Sequence, residues 1–108
     1  MLRYRLRYFF DPGSGVCLWA ANDAARDRFN YAIDFDALPF SEQTRQAGIA
    51  LCDRWDTSID WDYPPDPSPW SESEKAEFYE AAEAWLLTVH QELGQAFEVI
   101  NELDKFGR

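Results

Sequence analysis

Residues 2–10 alternate without interruption. Leu2, Tyr4, Leu6, Tyr8 and Phe10 fall on one side, and Arg3, Arg5, Arg7 and Phe9 on the other. A period of two over this length predicts a half-buried strand. Asp11-Pro12-Gly13-Ser14-Gly15 is dense in turn formers, and Val16–Ala20 reads as a second strand, so the two runs predict a β-hairpin. Residues 22–40 are ambiguous: 23–29 suit a short helical turn, while Tyr31, Ile33 and Phe35 alternate as in a third strand. Ser41 is an N-cap residue type, and from Glu42 to about Thr57 the positions Thr44, Gly48, Leu51, Cys52 and Trp55 recur at helical spacing, with Ile59 extending the series. Gly48 weakens that helix. Pro64, Pro65, Pro67 and Pro69 exclude regular helix from the segment that follows.

The strongest periodic signal begins at Ser71. Ser71 and Glu74 have the spacing of a capping box, and Phe78, Ala82, Trp85, Val89 and Leu93 then form one apolar stripe that ends at Gly94. Phe97, Val99 and Asn101 alternate with Glu98 and Ile100, which predicts a final strand. Together these elements predict one α+β domain over residues 1–108. Its sheet is small and mainly antiparallel, an N-terminal hairpin plus one or two further strands, and two main helices cover it.

Composition adds a bias of charge. The chain is 46% hydrophobic and 17% aromatic, enough to build a core, yet carries a net charge of −10. The first ten residues hold three arginines and no acid, so the remainder carries −13. Such a surface disfavours direct binding of nucleic acid or of an anionic membrane. The N-terminus lacks the charged-then-apolar order of a signal peptide, and no run reaches the length of a membrane helix. Cys17 and Cys52 fit no metal spacing and sit among apolar residues, which reads as buried free thiols in a reducing cytoplasm.

Catalytic and metal signatures are sparse. His90 is the single histidine and has neither HExxH nor ExxH context. Asp34-Phe35-Asp36 and Asp60-Trp61-Asp62 have D-x-D spacing, but from Asp60 the sixth and twelfth positions are Pro65 and Ser71, where a calcium loop needs Gly and Glu. No cofactor and no catalytic residue is expected. Arg3, Arg5 and Arg7 are too few for a nucleic-acid patch and are better placed to pair with the protein's own acids.

What stands out is the stretch from Asp53 to Glu83. It packs ten acids against only Arg54 and Lys75, interleaved with Trp55, Trp61, Tyr63, Trp70, Phe78 and Tyr79. Past Ser71 many of these acids have helical duties: Glu74 caps, and Glu72 and Glu77 suit the helix dipole. The excess is concentrated in DTSIDWDYPPDPSPW, where the prolines lower the entropy lost on ordering. Asp56, Asp60, Asp62 and Asp66 offer acceptors to Lys or Arg there, and Trp61, Tyr63 and Trp70 offer large contact area. With Glu72 these residues are the predicted partner-binding set, though Trp70, just before the helix cap, is better suited to packing on the domain's own helices. The partner they suit is a basic protein, held in a heterodimer.

A short acidic α+β chain with the segments DWDYPPDPSPW and SESEKAEFYEAAEAW resembles the bacterial immunity proteins encoded beside polymorphic or contact-dependent growth-inhibition toxins. That resemblance implies a non-enzymatic protein that binds a cationic toxin domain, often a nuclease, and blocks its active site or its access to substrate. Two other readings remain open at this level: an acidic nucleic-acid mimic of phage or plasmid origin, and a small Asp/Glu-dependent hydrolase.

Overall fold

A computed structural model describes residues 3–63 and 67–103. Strand β1 (Tyr4–Tyr8) lies at the centre of a three-stranded sheet of order β2-β1-β3. Strand β2 (Leu18–Ala20) pairs antiparallel to it, with Leu6 opposite Ala20 and Tyr8 opposite Leu18. Strand β3 (Phe97–Asn101) pairs parallel to it, with Tyr4 opposite Phe97 and Tyr8 opposite Asn101. The helices α1 (Asp23–Phe29), α2 (Glu42–Asp56) and α3 (Glu72–Leu93) all fall in the chain between β2 and β3. The fold is therefore α+β. A parallel partner for β1 needs a long crossover, and the helical segment supplies it.

The alternation in residues 2–10 divides the sheet into two faces. Tyr4, Leu6, Tyr8 and Phe10 are buried. The Tyr8 hydroxyl donates to the Ala82 carbonyl of α3 at 2.8 Å, and its ring lies 5.6 Å from Trp85. On the outer face Arg5 pairs with Glu98 at 2.7 Å and Arg7 with Glu102 at 2.8 Å. Two of the N-terminal arginines thus bind the protein's own acids across the β1–β3 pairing.

Residues 31–35 do not become a strand. Asn30 takes a positive φ of 71°, and a single bridge, Trp19 to Ala32, joins the segment to β2. Beyond Ile33 the chain turns inward into a 3-10 turn, Phe35–Ala37, which carries the Phe35 ring into the core. Strand β2 is only three residues long and offers an edge too short to hold a longer partner. Residues 23–29 do form the helical turn, capped by the Asn22 side chain on the Ala25 amide.

Helix α2 ends at Asp56, one residue before Thr57 caps it, and buries Thr44, Gly48, Leu51, Cys52 and Trp55. Ser41 accepts from the Thr44 amide as expected of an N-cap. Helix α3 has both halves of the Ser71–Glu74 capping box and stops at Gly94, whose φ is 78°. At Gly48 the core leaves no room for a side chain: a Cβ there would lie 2.5 Å from Phe35 Cε1 and 2.6 Å from Trp85 Cζ2. Cys17 and Cys52 are free and buried, and burial pushes the Cys17 thiol well above its ordinary value, reinforced by the Cys52 sulfur beside it.

Candidate functional site

The end of α2 determines the shape of the surface that follows it. The last carbonyls of a helix need new donors. Thr57 Oγ1 donates to the Arg54 carbonyl and Ser58 Oγ to the Trp55 carbonyl, each at 2.6 Å. The Asp56 carbonyl receives the Trp61 indole Nε1–H at 2.7 Å. Trp61 is thereby folded back beside the helix terminus, with its Cη2 against the position a Gly13 Cβ would occupy. The Asp56 carboxylate accepts the Gly13 amide at 2.9 Å, tying the tip of the β1–β2 connection to the same corner. Gly13 has a φ of 83°, which glycine adopts without strain.

Asp60 builds the next turn. Its carboxylate accepts the amides of Asp62 at 3.1 Å and Tyr63 at 3.3 Å, and its carbonyl accepts the Tyr63 amide. The result is a short, internally bonded platform. Trp61 and Tyr63 project from it at 56% and 59% exposure, whereas the other tryptophans are buried or half-buried. Single exposed apolar side chains are ordinary; here two large rings stand exposed two residues apart on one braced turn. The Asp62 side chain is exposed and has no ion pair or side-chain hydrogen bond among the described residues.

The remaining predicted residues divide by duty. Trp70 is half-buried, donates from its indole to Thr57 Oγ1 at 2.7 Å, and packs on Phe78 at 5.2 Å and edge-on to Trp55 at 5.9 Å. It pins the far end of the loop to the α2–α3 junction. Glu72 opens α3, exposed, with Lys75 Nζ at 3.6 Å. Asp66, with Pro64 and Pro65, lies outside the described residues. Arg54, one of the stretch's two cations, sits over the Phe78 ring at 5.6 Å. Among the described residues the structure brings Asp56, Asp60, Trp61, Asp62 and Tyr63 together as one corner.

A family model described as Serratia CdiI immunity protein-like matches residues 5–102, from the second residue of β1 to the residue after β3. The chain belongs to this family. A comparison with curated proteins returned no match. As a member of an immunity family the protein has a toxin as its partner, which agrees with the resemblance drawn from the acidic–aromatic segments. The corner presents large rings and carboxylates on a backbone fixed from beneath. No three His, Cys, Asp or Glu side chains converge as a metal site among the described residues. No helix of the described residues is long and apolar enough to cross a membrane.

Two contributions were invisible in the sequence. Gly13 reads as an ordinary turn glycine, yet its amide donates to the Asp56 carboxylate, 43 residues away in the chain. Glu92, near the end of α3, accepts from the Ser41 amide at 2.9 Å and from Thr44 Oγ1 at 2.8 Å, which holds its carboxyl below the usual range. The Ser41 capping signal hinted that α2 starts there, but nothing in the local pattern pointed to Glu92.

Proposed function

We propose that this immunity protein neutralises a cationic toxin domain in the cytoplasm by covering the face through which the toxin reaches its substrate, without chemistry of its own. Trp61, Asp62 and Tyr63 form the centre of the contact. Asp56 and Asp60 hold the corner in shape, Asp66 and Glu72 extend its negative field, and Trp70 anchors the loop. The observation that carries this reading is the pair of more than half-exposed rings on a hydrogen-bonded turn. Aromatic anchors held in advance lose little entropy on binding, and they dominate contact energies. The net charge of −10 steers a basic partner towards them. A toxin acting on a polyanion, as a nuclease does, presents the cationic face that this surface complements.

The test is calorimetric titration with the toxin domain encoded by the adjoining reading frame. Trp61→Ala combined with Tyr63→Ala should weaken binding by about 100-fold, the loss expected for two central anchors. Asp62→Lys with Asp66→Lys should slow association and flatten its dependence on salt. Wild-type affinity in the aromatic pair variant would refute this placement of the interface.

A further inference from the structure

A second surface of α2 and α3 has no occupant among the described residues. On their outward side the two helices leave a groove of about 420 Å³. Ala47, Ala50 and Leu51 line it from α2, and Ala81, Ala84 and Trp85 from α3. Arg54 stands at the groove near the C-terminal end of α2. Small side chains on both walls let another backbone approach closely, while Leu51 and Trp85 give the floor apolar area.

Two further features mark the groove as more than a seam of alanines. Leu87 lies three residues beyond Ala84, hence on the same side of α3 one turn on, and is 65% exposed, the highest value for any large apolar residue described. The rim is anionic: Glu77 and Glu80 each stand four residues before a groove alanine of α3, and Asp53 stands three after Ala50 of α2. All three are exposed, and Arg54, the cation at the groove, already covers the Phe78 ring.

We infer that this groove receives a helix of the toxin, with an apolar face lying between the alanine walls and Lys or Arg flanking it, as a second contact besides the Trp61–Tyr63 corner. The inference rests on the reading of the partner as a cationic toxin domain. Charge decides against a second copy of this chain as the occupant. Pairing two such grooves would set two rows of Asp53, Glu77 and Glu80 against each other on molecules that each carry −10. A basic amphipathic helix meets the same rim with attraction and buries the same apolar area.

Two variants test it, each titrated by calorimetry with the toxin domain of the adjoining reading frame. Ala84→Trp fills the groove from an exposed position and should lower affinity by about 100-fold, as blocking a central contact does. Leu87→Ser removes the rim contact and should lower it about tenfold. Cooperative urea unfolding establishes that each variant is folded; Ala84→Trp decides if its midpoint matches the wild type, and Leu87→Ser decides if it does not. Wild-type affinity in the deciding variant overturns the inference, whatever the corner variants do. Loss of affinity in the groove variant with wild-type affinity in Trp61→Ala/Tyr63→Ala keeps the groove and removes the corner from the interface. Sedimentation of the protein alone supplies the last outcome: a dimer that Ala84→Trp dissociates assigns the groove to a second copy and overturns the inference.

Discussion

Replacing Gly48 with alanine sets two effects of opposite sign against each other. In an exposed helix interior the change stabilises by up to about 1 kcal/mol, because alanine loses less backbone entropy on folding. Here the new methyl would sit 2.5 Å from Phe35 Cε1 and 2.6 Å from Trp85 Cζ2. Carbon atoms prefer separations of about 3.5–4.0 Å, so α2 or both rings must move by roughly 1 Å. Neither ring can swing aside easily. Both are buried, Trp85 is held by its indole donating to the Thr44 carbonyl at 2.9 Å, and it packs on Tyr8 and Phe40. Forcing a methyl group into a filled core costs about 1–3 kcal/mol, so the net expectation is destabilisation by about 1–2 kcal/mol. For a domain of this size that is a fall in Tm of about 5–10 °C. Urea unfolding should show a lower midpoint at unchanged slope, as for a change in stability without a change in the surface exposed. Repeating the substitution in a Phe35→Leu background removes one obstructing ring, and the cost of Gly48→Ala should shrink by about 1 kcal/mol. A midpoint that rises in Gly48→Ala would refute the reasoning, since it would show that helix propensity outweighs the contact.

Tyr8→Phe deletes the buried hydrogen bond to the Ala82 carbonyl while keeping the ring contacts, and should lower stability by about 1 kcal/mol in the same assay with no change in toxin affinity. Glu92 makes stability depend on acid. Its carboxyl is held low chiefly by the Ser41 amide, then by the Thr44 hydroxyl. The folded form therefore binds fewer protons than the unfolded chain between the two values. The contribution is present above about pH 4.3, the ordinary glutamate value, and is lost as pH falls through the lower folded one. Urea midpoints measured across that range should fall less steeply for Glu92→Gln than for the wild type; parallel profiles would show that Glu92 does not link α2 to α3 in this way.

Local pattern was enough for the elements whose signals lie within one segment. The β1 alternation and the Ser71–Gly94 helix with its caps are written in spacing alone, because burial periodicity and orphan amides are satisfied within a few residues. The acidic–aromatic excess was legible for the same reason, as a count of residue types in one short run. Residues 31–35 alternate like a strand, but whether they pair depends on an edge offered elsewhere, and β2 offers only three residues. The parallel pairing of β1 with β3 joins segments about ninety residues apart, and no local signal specifies direction or register over such a distance.

At the candidate site the same division holds. The sequence by itself determined that Asp56–Trp70 combines carboxylates, rings and prolines. Only the tertiary structure separated their duties. It sends Trp70 against Phe78 and Trp55, spans Asp56 to Gly13, closes a turn with Asp60, and leaves Trp61, Asp62 and Tyr63 facing outward. Tertiary packing also made the α2–α3 groove, since a gap between two helices is a property of neither helix alone. The physical reason is common to both cases. Residue type states what contacts a side chain can make, but which contacts remain available to a partner depends on those the fold has already made.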